Sequence, residues 1–195
     1  MKILIPGMDG YIGWSLALQQ LSKGNEICGF DNFSRREHVE EMSSHSIVPI
    51  LSMNERIDIL KNEFGDKINF LEGDLLNSEF IDSVMIDFQP DVIVHLAEQP
   101  SAPYSMIDQK HNVYTQQNNV IGNLNLIHSM KNYTPNAHLI KLGTMGEYGY
   151  DPGLEIPEGF YETEFRGKKA RVPFPRLAGS WYHWTKVHDS NNIMF

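Results

Sequence analysis

Lys2-Ile3-Leu4-Ile5-Pro6-Gly7-Met8-Asp9-Gly10-Tyr11-Ile12-Gly13, almost at the start of the chain, decides the fold. Ile3–Ile5 is a short apolar strand that breaks at Pro6-Gly7. From Tyr11 the residues Ile12, Leu16, Leu18 and Leu21 recur at near-helical spacing and stop at Lys23-Gly24. Between strand and helix, Gly7, Gly10 and Gly13 spell GxxGxxG. Each glycine has a physical task in a dinucleotide site. Gly7 allows the tight turn, Gly10 lets the backbone approach a pyrophosphate, and Gly13 lets the helix pack close to the sheet. The anion is then held by backbone amides at the helix start.

The pattern outward from this unit repeats it. Glu26–Phe30 reads as a second strand ended by Asp31-Asn32, followed by a polar, partly helical stretch and a helix from an Asn54 N-cap to about Phe64. Ile68–Leu71 reads as a third strand, Ser78 as the cap of a helix to about Phe88, and Asp91–His95 as a strand covered on both faces. A long helix over Val113–Lys131 and a fifth strand over Ala137–Leu142 follow. Alternation of this kind predicts right-handed βαβ units: an α/β, Rossmann-like, doubly wound parallel sheet. Tyr150–Arg176 breaks the rhythm as an inserted loop, with Phe160–Phe165 expected to pair across Arg166-Gly167 as a small hairpin. A last helix starts near Ser180 and shows no Gly, Pro or capping pattern before Phe195. The expectation is therefore one NAD-binding domain over residues 1–195 of a truncated chain that lacks a C-terminal substrate domain.

Composition narrows the function classes. A formal net charge of −9 argues against a surface built for nucleic acid, although not against a nucleotide gripped by backbone amides. Cys28 is the only cysteine, which excludes an internal disulfide and a cysteine-based metal site; no metal is expected. No window approaches the ~20 apolar residues of a membrane helix, and no signal peptide is legible, so a cytoplasmic location without membrane association is expected.

Two further groups carry chemistry. Asp31 ends the second strand, where an acid should bind the adenosine ribose hydroxyls and disfavour a 2′-phosphate; Arg35-Arg36 leaves NADP open as an alternative. Asp74-Leu75 and His95-Leu96-Ala97-Glu98 close the third and fourth strands at the edge of the same crevice. Tyr182-His183-Trp184-Thr185-Lys186 is YxxxK, which on a helix puts phenol and ammonium on one face. A neighbouring Lys⁺ should lower the phenol toward a usable base, able to take a proton from a sugar hydroxyl as hydride leaves for a nicotinamide. Thr144, after the fifth strand, supplies a hydroxyl that orients the same oxygen.

Longer strings are more specific. Glu98-Gln99-Pro100-Ser101-Ala102-Pro103-Tyr104-Ser105-Met106-Ile107-Asp108, Lys141-Leu142-Gly143-Thr144-Met145-Gly146-Glu147-Tyr148-Gly149, and Lys186-Val187-His188-Asp189-Ser190 after Tyr182-His183 resemble the UDP-sulfoquinovose synthase family. That family belongs to the extended short-chain dehydrogenases. The resemblance implies NAD as cofactor, a UDP-sugar and sulfite as partners, and a homodimer through Val113–Lys131 and Ser180–Phe195. It implies a reaction in which UDP-glucose and sulfite give UDP-sulfoquinovose through a 4-ketone. Tyr182 would be the base, with Lys186 and Thr144 in support. It places Gly7, Gly10, Tyr11, Ile12, Gly13, Asp31, Asn32, Arg35, Arg36, Asp74, Leu75, Leu96, Ala97, Glu98, Asn118, Tyr182 and Lys186 at the cofactor. Gln99, Ser101, Thr144, Met145 and Tyr182 fall at the substrate.

Nucleotide-sugar 4,6-dehydratases carry an Asp-Glu pair where this chain has Met145-Gly146, so the expected proton donors for elimination are Glu147 and His183. Pro100 stands where plant-type members have a substrate-contacting arginine. Another nucleotide-sugar epimerase or dehydratase is the alternative within enzymes, and a non-catalytic NAD-binding module the alternative outside them. The chain alone is expected to bind NAD and to turn over poorly.

Overall fold

In the computed structural model, which describes residues 1–149, 156 and 160–195, five parallel strands stand in the order β3-β2-β1-β4-β5. They are β1 (Lys2–Pro6), β2 (Glu26–Asp31), β3 (Ile68–Glu72), β4 (Val92–His95) and β5 (His138–Lys141). β1 pairs with β2 on one side and β4 on the other, so the winding reverses at β1 and opens a crevice past the strand ends.

Alternation along β1 builds two cores. Ile3 and Ile5 face α1 (Tyr11–Ser22), through Ala17 and Leu21, together with Met53, Ile57 and Leu60. Leu4 faces the other way, onto Ile81, Val84, Met85 and Leu126. The Tyr150–Arg176 break falls partly outside the described residues. Its second half is the expected hairpin, Phe160–Phe165 against Lys168–Pro173, with Phe165 opposite Lys168 across Arg166-Gly167.

The sequence misplaces several helix starts, and each shift has a local cause. The polar stretch after β2 holds α2 (Ser34–Glu41). α3 (Met53–Phe64) is capped by Ser52, not Asn54: Ser52 Oγ accepts from Glu55 N while Glu55 bonds back to Ser52 N, a complete capping box. α4 (Ser78–Phe88) is capped by Asn77, which accepts from Phe80 N, leaving Ser78 as its first residue. α5 (Ala102–Ser105) is a single short turn capped by Ser101. The long helix begins before Val113, at α6 (Gln109–Gln116) with Asp108 as cap, passes through a π-turn over Gln117–Ile121 and continues as α7 (Gly122–Tyr133). α8 (Trp181–Met194) carries the YxxxK residues and is capped by Ser180.

Losing the capping box should be measurable: Ser52→Ala is expected to destabilise the protein by about 1 kcal/mol. Denaturant unfolding checks this, and an unchanged midpoint would remove the cap from the account.

Candidate active site

Gly7, Gly10 and Gly13 do what their spacing suggests. Gly7 sits at φ +83°, and a Cβ there would overlap the backbone of Leu96 and Ala97 at the end of β4. A Cβ on Gly13 would overlap the backbone of Gly7 and Met8, so α1 can approach the turn only without one. Gly10 is the N-cap of α1 and offers no side-chain cap, which leaves the first amides of the helix available to an anion.

These residues line a cavity of about 410 Å³ together with Tyr11, Ile12, Asp31, Asn32 and Arg35. Asp74, Leu75, Leu96, Ala97, Glu98, Asn118, Tyr182 and Lys186 also lie on its wall. Sixteen of the seventeen expected cofactor residues are thereby brought together. Asp31 is fixed by accepting Asp9 N at 2.9 Å and Phe33 N at 2.8 Å, and Asn32 donates to Asp74 at 2.8 Å. The residues present fit a dinucleotide with an unphosphorylated ribose. The π-turn adds a residue to the helical ladder and buries two side chains: Asn118 on the crevice wall, and Asn119 between Gln99 and Thr185.

Arg36 is the exception. Its guanidinium grips Asp9 in a fork, at 2.7 and 2.8 Å, and does not line the cavity. Arg56 joins Asp9 from α3 while lying 4.4 Å from the centroid of Trp14. Burial would raise the Asp9 carboxyl, but Arg36 and then Arg56 hold it below its ordinary value. With Arg36 so engaged, only Arg35 of the pair faces the crevice, which weakens the NADP alternative.

α8 brings Tyr182 and Lys186 to the same crevice. Tyr182 and Lys186 share one face of α8, with the lysine Nζ 5.7 Å from the centroid of the tyrosine ring. The expected lowering of the phenol is not seen. Burial, and after it the Glu98 carboxylate, push Tyr182 above its ordinary value, with Lys141 opposing them. Lys186 is engaged elsewhere: it donates to Glu98 and, at 2.7 Å, to Leu142 O. Glu98 borders the crevice, yet its carboxylate is held between Lys186 and Lys141 rather than offered to a ligand. His95, buried beneath the crevice, is kept neutral by burial and by Lys141.

Substrate candidates divide. Thr144 Oγ1 accepts Gly146 N at 3.2 Å and caps the short 3-10 turn Met145–Tyr148. Met145 is 88% exposed and outside the cavity. Gln99 is buried, its amide oxygen accepting Ser101 N, and Ser101 caps α5; both serve the fold of the Ser101–Ser105 segment rather than the cavity wall. Pro100, by contrast, is on that wall. Glu147 is buried, with Oε2 accepting Ser190 Oγ at 2.9 Å and Arg176 at 3.5 Å from it. Its other oxygen faces Thr144 N at 3.5 Å, so Glu147 works as a structural tie rather than a free acid. His183 packs beside Tyr182, ring centroids 5.1 Å apart, with Nδ1 2.9 Å from Ser180 Oγ. Its imidazole lies over Gly146, in space that any Cβ at that position would take.

A family model described as the NAD dependent epimerase/dehydratase family matches residues 3–182. The chain belongs to that family. Among curated relatives, it is 46% identical over 195 residues to the UDP-sulfoquinovose synthase of Sulfolobus acidocaldarius, covering 100% of this chain and 49% of that protein. It is 43% identical over 194 residues to the chloroplastic UDP-sulfoquinovose synthase of Spinacia oleracea, covering 100% of this chain and 40% of that protein. The chain thus spans about half or less of the length of these relatives. Among solved structures, the UDP-Glc/GlcNAc 4-epimerase of Campylobacter jejuni superposes with TM-score 0.70 at 22% identity, over 99% of this chain and 48% of that one. That likeness carries the fold.

Among the described residues, no helix is long and apolar enough to cross a membrane, and no group of three or more His, Cys, Asp and Glu could hold a metal ion. Membership of the family makes this an NAD-dependent enzyme domain. Lys141, Ser180, Asp189 and Asn119 contribute to the site without having been singled out by spacing. The signal available for Lys141 was its place at the end of β5, beside Glu98 just after β4.

Proposed function

We propose that the full-length protein is a UDP-sulfoquinovose synthase that joins UDP-glucose and sulfite with loss of water. The observation that carries this reading is the placement of Tyr182 and Lys186 on the wall of the crevice that Gly7, Gly13 and Asp31 form. The identities of 46% and 43% to two such synthases support the choice of substrate. NAD, when bound, supplies a hydride acceptor and a positively charged ring.

Tyr182 takes the proton of the sugar 4-hydroxyl, with Lys186 stabilising the phenolate and the Thr144 hydroxyl orienting the oxygen. The 4-ketone acidifies carbon 5, so its proton can leave and the 6-hydroxyl can depart as water. His183 is the proton donor for that departure: its ring fills the space that a side chain at Gly146 would need, so Gly146 makes room for it. Sulfite then adds at carbon 6 of the alkene, and reduction at carbon 4 completes the cycle. A homodimer through α6, α7 and α8 belongs to the same reading; Val113, Ile121 and Trp181 leave apolar surface there.

Incubation of the full-length protein with UDP-glucose and labelled sulfite tests the function by mass spectrometry. A sulfonated UDP-sugar carrying the label is expected. UDP-galactose, formed equally without sulfite, would assign an epimerase. His183→Ala is expected to keep NAD and stall before elimination, and undiminished turnover in that variant would remove His183 from the mechanism.

A further inference from the structure

Beneath α8 lies a chain of buried charges that the reaction as written does not use. Lys186 meets Glu98, Glu98 meets Lys141, and Lys141 meets Asp189 at 3.0 Å; all four side chains are buried. Asn123 on α7 donates to Asp189 at 3.0 Å and closes the cluster from below. Ordinary ion pairs at this depth demand near-complete partnering, because each unpaired charge is costly. Here two ammoniums share one firm carboxylate. Burial would raise Glu98, but Lys141 and Lys186 overcome it and hold the group ionised well below the carboxylate range. Asp189 goes the other way: burial and then Glu98 push it up to about 8.

We propose that Glu98 is a positioning residue, which by holding Lys186 against Lys141 inside the fold sets how much of the lysine's charge reaches the Tyr182 phenol. The inference rests on the reading of Tyr182 as proton acceptor. Lys186 has three N–H donors. Glu98 and Leu142 O take two of them, leaving the third for the crevice. The groups facing Tyr182 are Lys186 and His183 on its own helix, Asp189 further along it, Glu98 after β4, Lys141 on β5 and Glu147 in the 3-10 turn. Glu98 is the largest charge influence among those that oppose the phenolate, ahead of Asp189 and Glu147. Neutralising it should therefore ease ionisation of the tyrosine even though Asp189 then ionises more readily.

The test is made on the full-length protein with NAD bound. Tyr182 ionisation is read as phenolate absorbance, taken as the difference from Tyr182→Phe, and in parallel as the acidic limb of the pH–rate profile with UDP-glucose. Glu98→Gln is expected to move both downward by about one pH unit. Lys141→Met is expected to move both upward by a similar amount. Opposite displacements are a signature that simple loosening of the fold cannot produce. Where Glu98→Gln does not fold, Lys141→Met is read alone. An unmoved phenolate titration, or movement in the same direction for both variants, would overturn the proposal. The absorbance arm needs no turnover. If UDP-glucose proves not to be the substrate, the proposed function fails while the Glu98 inference still stands or falls on the titration.

Discussion

Tyr182→Phe in the full-length protein is expected to lower turnover by about 10²- to 10⁴-fold, the range for loss of a positioned proton-transfer group. NAD should remain bound. Phenylalanine keeps the ring that packs beside His183 and beneath Lys186 and removes only the oxygen. The fold has no other claim on that oxygen: among the described residues, no hydrogen bond holds the Tyr182 hydroxyl, whereas its backbone N–H is held by Ser105 Oγ at 3.0 Å. Stability should therefore change little, and single-turnover measurements should show the loss in the oxidation step. A variant that loses activity because it no longer holds NAD would place the tyrosine in binding rather than chemistry.

The second large effect concerns the glycine turn. Gly7 and Gly24 both sit at φ +83°, so replacing either with alanine incurs the left-handed penalty of about 1–2 kcal/mol. Their surroundings differ. A Cβ on Gly24 meets nothing within 4 Å, while one on Gly7 would enter the backbone of Leu96 and Ala97. Backbone cannot rotate aside as a side chain can, so overpacking adds about 1–3 kcal/mol at Gly7 alone. Gly7→Ala is thus expected to cost about 3 kcal/mol in denaturant unfolding and to abolish NAD binding by calorimetry. Gly24→Ala should cost about 1 kcal/mol and leave binding intact. Equal costs at the two positions would show that backbone conformation, and not close approach, explains Gly7.

What could be read from the sequence follows from which interactions are local. The strand–glycine–helix unit at Ile3–Leu21, the continuous run at Asp91–His95 and the i, i+4 pair Tyr182/Lys186 are determined within a few residues, and the structure keeps all three. Helix starts were legible in principle: Ser52 with Glu55 three residues on is a capping-box signal, and it outranks the isolated Asn54 because it satisfies two backbone donors reciprocally. The π-turn at Gln117–Ile121 has no such signal, since its cause is the burial of Asn119 against Gln99 and Thr185 from distant parts of the chain.

Arg36 and Glu98 are each claimed by a charge far away in sequence: Asp9 for Arg36, which leaves the crevice wall, and Lys141 with Lys186 for Glu98, which stays on it. Glu147 belongs with them, since Ser190 and Arg176 reach it only once α8 is docked. Spacing along the chain carries no information about such partners; strand order does.

The account turns on reversible oxidation of the sugar at carbon 4, in which Tyr182, supported by Lys186, would take the proton and a retained NAD would supply the hydride acceptor. Full-length protein given UDP-glucose deuterated at carbon 4, with sulfite and no added NAD, tests this in one mass spectrum. The sulfonated product is expected to keep its deuterium. A product formed with protium at carbon 4, or formed only when NAD is supplied in stoichiometric amount, would contradict the account.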